Sequence, residues 1–170
     1  MENRQYPIGK FEPPAVFTPE IIAQWIDEIE ALPRQVESVV KKMSEAQLDT
    51  AYRTGGWSAR QVVHHIADSH MNAYIRVRLA LTEDNPTAKS YSEELWAELS
   101  DARTAPVQLS IDLLAGLHTR WALLLRSLTP EQLKRTLFVP YFDRHVAIEY
   151  IIGMYAWHGK HHLEHIKLVK

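Results

Sequence analysis

At 170 residues, with 46% hydrophobic and 24% charged residues, the chain has the size and balance of one globular domain that can bury its own core. Its formal net charge of −2 supplies no basic field for nucleic acid or an anionic membrane. The lack of cysteine excludes disulfides, thiolate metal ligands and a catalytic thiol belonging to the protein.

The opening stretch, Met1 to Pro14, is polar and proline-bearing and has no apolar signal core. Pro7, Gly9, Pro13 and Pro14 break any helix there, so residues 1–17 read as an extended arm. Thr18-Pro19-Glu20 then starts a helix with a capping hydroxyl, a first-turn proline and an acid at the positive end of the dipole. Ile22, Trp25, Ile29, Leu32, Val36, Val39 and Met43 recur every three or four residues, one apolar face of a long helix disturbed at Pro33. Gly55-Gly56 interrupts the chain, and Ser58 with Gln61 forms a capping box for a second helix running to about Leu81. Its inward residues are Val62, Ile66, Ala73, Val77 and Ala80.

Asn85-Pro86 marks a loop, and Ser92 to Leu99 a short helix. A third long helix begins near Pro106, with Leu109, Leu113, Leu117, Trp121, Leu124 and Leu128 as its expected face. Pro140 to Arg144 is a turn, and a fourth long helix runs from about Ala147 to near the end. No run of alternating residues predicts a sheet. The longest mostly apolar stretch, residues 145–157, contains Glu149 and is too short to span a bilayer. The expectation is a cytoplasmic, single-domain, all-α bundle over residues 1–170, four amphipathic helices around one core, with no membrane partner. A faint internal echo joins Met43-Ser44-Glu45-Ala46-Gln47-Leu48 to Leu128-Thr129-Pro130-Glu131-Gln132-Leu133, each a capped turn preceding a histidine-bearing helix.

Nine histidines occur, and four of them, His158, His161, His162 and His165, share one window. Imidazole ligates zinc, nickel, copper and iron, and histidines four apart on a helix reach one ion together. Both His158/His162 and His161/His165 have that spacing. At about 100° per residue, Ile151, Tyr155, Ile166 and Val169 set the inward face, and His161/His165 lies about 60° further from it than His158/His162. His158 and His162 are therefore the candidate ligands, with His161 and His165 left as supporting, rim or solvent groups. On the second long helix His64 points away from the apolar face and His70 lies on it as a core histidine. His65 borders that face and begins a polar strip continued by Ser69, Asn72 and Arg76, as a pocket wall would. His65 is the candidate third ligand. On spacing alone, packing or surface histidines remain the competing reading; His118 and His145 have no assigned role.

These segments bring a family into view. Tyr6-Pro7-Ile8-Gly9, then Gly55-Gly56-Trp57 through Val62-Val63-His64-His65-Ile66-Ala67-Asp68-Ser69-His70, and Trp157-His158 through His161-His162-Leu163-Glu164-His165-Ile166 resemble the YfiT subgroup of the DinB-like helical bundles, whose members carry the provisional name metal-dependent hydrolase. The resemblance spans nearly the whole chain. It implies a four-helix bundle, a homodimer, and one divalent ion, zinc or nickel, on three histidines that fall on His65, His158 and His162. It also implies a kinship with thiol transferases that use bacillithiol or related low-molecular-weight thiols.

Three neutral imidazoles leave an ion with open positions, as in catalytic rather than structural sites. A zinc peptidase carries its glutamate base where this chain has Gly159, and Glu149 and Glu164 project away from the metal face, so no catalytic base is assigned. Asp68 either orients His65 or is a solvated acid. A coordinated thiol needs no protein base, because the ion deprotonates it; thiol S-transfer to a small-molecule substrate is thus the favoured reaction. The alternatives are hydrolysis by metal-bound water and a metal-dependent binding or sensor protein without turnover. Asn72 and Arg76 are the substrate-facing candidates, Arg76 as a bidentate anchor for carboxylate or phosphate, against the plainer reading of a surface arginine. Trp57 and Trp157 are candidate walls of the site.

Overall fold

The computed structural model describes residues 4–169; the expected arm's first three residues lie outside the described residues. Helix α1 (Pro19–Val40) starts as its sequence dictates, with Thr18 Oγ1 accepting from the Ile21 N–H. It continues through Pro33, which lacks an N–H and so leaves the Ile29 carbonyl four residues earlier without its helical donor. Short α2 (Glu45–Leu48) and long α3 (Ala59–Thr82) each begin with a complete capping box, Ser44/Gln47 and Ser58/Gln61. Buried Arg60 ties the two together, donating to Asp49, Glu45 and the Ala105 carbonyl. Then follow α4 (Glu93–Ala97), α5 (Ser100–Thr104), α6 (Val107–Arg126), α7 (Pro130–Leu133) and α8 (Ile148–Lys167). Thr129/Gln132 caps α7 as Ser44/Gln47 caps α2, so the two echoing segments occupy equivalent places, each ahead of a histidine-bearing helix.

The long helices make the expected four-helix bundle. In it α1 and α3 each pack on both α6 and α8, so the long helices consecutive in sequence at α1/α3 and α6/α8 stand diagonally. Long crossovers permit this, where a short loop would force neighbours. The second crossover contains a small antiparallel hairpin, β1 (Thr136–Val139) with β2 (Arg144–Ala147), around a 3-10 turn at Pro140–Phe142. This corrects the expectation of no sheet. Strands of four residues are too short to display a legible alternation. Among the described residues no helix is long and apolar enough to cross a membrane.

Two further expectations change. The inward stripe of α6 is Ser110, Ile111, Leu114, His118, Trp121, Ala122 and Leu125, whereas Leu109 and Leu113 are exposed. A leucine-rich helix looks apolar on several faces, and the true stripe carries polar residues that find partners inside. And the core is two apolar clusters rather than one. Ile22, Ile26 and Ile29 meet Ala73, Val77, Trp121, Leu125, Ile148 and Ile152 at one end. Leu32, Val36 and Val40 meet Val62, Ile66, Leu114, Leu163 and Ile166 at the other. Between them, on α3, α6 and α8, lies a layer of imidazoles.

Candidate metal centre

That layer exists because α3, α6 and α8 each place histidine at the bundle's mid-height: His65 and His70, His118, and His158 and His162. Ligand nitrogens of His65, His158 and His162 all lie within 4.8 Å of one another. His65 Nε2 and His158 Nε2 face each other at 3.2 Å. Two nitrogens bound at 2.0–2.1 Å to one tetrahedral ion stand roughly 3.3 Å apart, so the donor set fits a divalent cation as it stands. Removal from water, with repulsion from the neighbouring rings, drives the pKa of His65 down to about 4 and those of His158 and His162 well below the ordinary 6.5. The three rings are neutral at physiological pH, the form that ligates.

The triad forms one wall of a cavity of about 350 Å³, also lined by Ser69, Arg76, Tyr91, Glu93 and Tyr155. Trp57 and Trp157 line it as expected; Trp57 lies 4.7 Å from the His65 ring, centroid to centroid. Arg76 is in the cavity, donates from Nη1 to Tyr155 Oη at 3.1 Å, and keeps a buried Nε with no acceptor. Asn72 is not among the lining residues; its Nδ2 turns back to the Asp68 carbonyl at 2.8 Å. Glu93, Tyr91 and Tyr155 were not anticipated. Glu93 and Tyr91 sit on or beside a short connecting helix, and no periodicity places such a segment against a pocket. Although Glu93 as a residue is exposed, loss of water around its carboxyl raises its pKa, with Arg76 opposing. A larger groove of about 670 Å³ between α1 and α6, lined by Asp27, Glu30, Arg34 and Thr119 among others, contains no imidazole.

The remaining expected groups sort as follows. Gly159 faces α1, where an added Cβ would stand 2.5 Å from Leu32 Cδ2, so a glutamate there would collide with the core instead of reaching the triad. Glu164 pairs with Lys167, and Glu149 lines a different groove. Asp68 makes no hydrogen bond to His65; burial and Asp101 push its carboxyl up to about 6. His64 does turn away from the α3 core stripe but is buried, accepting from Ser110 Oγ at 2.7 Å and donating to the Ala105 carbonyl at 3.1 Å. His70 is a fully buried core histidine, as expected, and so is His118. His161 and His165 are buried rather than solvent-facing. His161 stacks on Trp157 at 4.6 Å and His165 on Tyr52 at 4.0 Å. With His162 they form a second set of nitrogens within 4.8 Å. His145 is exposed on β2.

Fold and site together define a helical bundle built around a three-histidine centre that opens on a cavity. The family model of the DinB superfamily matches residues 28–166, and the chain belongs to that superfamily. It is 52% identical over 164 residues to a protein of Oceanobacillus iheyensis provisionally named a metal-dependent hydrolase, covering 96% of this chain and 94% of that one. A Bacillus mycoides protein of the same provisional name is 51% identical over 166 residues, 98% of this chain and 95% of the relative. Among solved structures, YfiT from Bacillus subtilis, described as a probable metal-dependent hydrolase with an unusual four-helix bundle topology, superposes with a TM-score of 0.95 at 45% identity. The match covers 97% of this chain and 94% of that chain.

Proposed function

We propose that this chain is a metal-dependent enzyme acting on a small electrophilic molecule, with thiol S-transfer from a bacillithiol-like cosubstrate as its favoured reaction. The observation that carries this reading is the neutral His65/His158/His162 triad at the wall of a cavity whose helix offers Gly159, packed on Leu32, where a hydrolytic base would stand. One divalent ion per subunit, zinc or nickel, would supply the positive centre at which a thiol is held as its thiolate. His65 and His158 would hold it through the Nε2 atoms that face each other, with His162 as third ligand. The thiol gives its proton to solvent, its sulfur forms the new bond to the electrophilic carbon, and the leaving group departs with the bonding pair. Arg76, free of any ion pair among the described residues, receives an anionic group of substrate or thiol, and Trp57 and Trp157 keep water from the reacting atoms.

Hydrolysis is the second reading, favoured by Glu93: a carboxyl in the same cavity with a raised pKa can accept a proton from attacking water. Zinc- and nickel-loaded protein, and protein stripped with chelator, are to be assayed on electrophilic and ester substrates with and without a low-molecular-weight thiol. Turnover that needs both metal and thiol supports S-transfer. Metal-dependent turnover indifferent to thiol overturns it in favour of hydrolysis, and Glu93→Gln should then abolish the rate. No turnover, with metal altering ligand binding, would make it a sensor.

The cytoplasm and a homodimer complete the proposal. Exposed Leu109 and Leu113, one turn apart on the outer face of α6, support self-association. A monomer in sedimentation equilibrium at micromolar concentration would remove that part.

A further inference from the structure

Behind His158 two imidazoles and one carbonyl stand in line. His158 Nδ1 meets His70 Nε2 at 3.1 Å, and His70 Nδ1 meets His118 Nε2 at 3.0 Å. His118 Nδ1 meets the Ile29 carbonyl, the group that Pro33 leaves without a helical donor. A carbonyl only accepts, and a neutral imidazole carries one N–H and one bare nitrogen. The last contact therefore orders all the others. His118 donates from Nδ1 to Ile29, so its Nε2 is bare and accepts from His70 Nδ1–H. His70 Nε2 is then bare and accepts from His158 Nδ1–H. His158 is left with its lone pair on Nε2, the atom that faces His65.

We infer that His70 and His118 are positioning residues of the metal centre, a one-way relay that locks His158 in the Nδ1–H tautomer and aims its Nε2 lone pair at the ion. The relay rests on the metal-centre reading above. Its polarity originates in the backbone of α1, which does not line the cavity, and the rings of His70 and His118 are fully buried, His70 between His118 and Tyr155 and His118 beside Trp121. A shorter branch treats His162 the same way. His165 donates from Nε2 to the Gln5 carbonyl at 3.2 Å, and its bare Nδ1 accepts from His162 Nδ1–H at 3.3 Å. In the second cluster of nitrogens this branch engages His162 and His165, while His161 Nδ1 is buried with no hydrogen-bond partner among the described residues. Both α8 ligands are held by donated Nδ1–H bonds that end on main-chain carbonyls, the usual way an outer hydrogen bond fixes a ligating imidazole.

The test has two readouts. In metal-free protein labelled with 15N at histidine, long-range 1H–15N NMR at neutral pH should find His158, His70 and His118 protonated at Nδ1 and bare at Nε2. A His158 proton on Nε2 overturns the relay. Zinc affinity, by competition with a chromophoric chelator, should weaken about 10- to 100-fold in His118→Phe, the range for loss of an outer-shell partner. His118→Gln keeps a donor for Ile29 and an acceptor for His70, and should restore affinity toward wild type and keep His158 protonated at Nδ1. Should His118→Phe fail to fold, the wild-type tautomers and the Gln variant decide. Unchanged zinc affinity in folded His118→Phe, beside normal wild-type binding, removes the positioning role alone. A wild type that takes up neither zinc nor nickel removes the metal centre and this role with it, whatever the tautomers.

Discussion

Acid should unfold the metal-free protein through its imidazole layer. His65 and His118 each titrate at about 4 in the fold, chiefly because burial disfavours the charged ring, against about 6.5 in the unfolded chain. Their folded pKa is depressed, so the unfolded chain binds protons first as pH falls. The stability present above about pH 6.5 is lost between there and about pH 4. At pH 5 each of these two groups has cost about 2 kcal/mol relative to pH 8, by proton linkage. His70, His158 and His162, also held well below 6.5, add to the loss in the same direction. About 4 kcal/mol from two side chains is a large share of the 5–15 kcal/mol typical of a domain. Urea unfolding at pH 8, 7, 6 and 5 should show the midpoint falling most steeply below pH 6.5. His118→Gln, which cannot take up that proton, should flatten the dependence by about 2 kcal/mol. Saturating zinc should hold the midpoint up to lower pH, by about 2.7 kcal/mol at 100 times Kd. A midpoint independent of pH from 8 to 5 would refute the neutral, buried layer.

Other outcomes follow from the same geometry. His65→Ala should lose zinc by more than about 100-fold, beyond the effect of an outer-shell change, and lose turnover with it. His161→Ala should retain the metal by elemental analysis, because that ring stacks on Trp157 outside the triad. Arg76→Met should lower kcat/KM for anionic substrates roughly 10- to 100-fold, the worth of one charge-assisted bond, and leave neutral substrates nearly unaffected. Gly153→Ala should destabilise the fold. Its Cβ would stand 2.7 Å from the rigid Trp25 ring, and overpacking of about 1–3 kcal/mol exceeds a helix-propensity gain of up to about 1 kcal/mol; thermal unfolding measures the difference.

Much of the architecture was legible in the residue order because its causes are local. Thr18-Pro19, Ser44/Gln47, Ser58/Gln61 and Thr129/Gln132 begin helices where capping chemistry says they must. Three- and four-residue spacing placed Ile22, Ile29, Leu32, Val36, Val62, Ile66, Val77 and Ala80 inside. Four-residue spacing paired His158 with His162 and His161 with His165, since positions four apart share a face whatever surrounds them, but phase set His161 and His165 too far outward: both are buried, and His162 belongs to both sets of converging nitrogens.

Tertiary structure decided whatever depends on contacts between distant segments. The inward face of α6 contains Ser110 and His118, polar groups that a pattern scores as outward until His64, His70 and Ile29 are seen to satisfy them. Glu93 and Tyr91 reach the cavity because a connection folds back over α3, which no periodicity encodes. Pro33 reads in the sequence only as a disturbance of a helix. Once α1 and α6 are packed, the carbonyl it frees becomes the acceptor for His118, and a hydrogen bond formed there fixes which nitrogen of His158 is left bare.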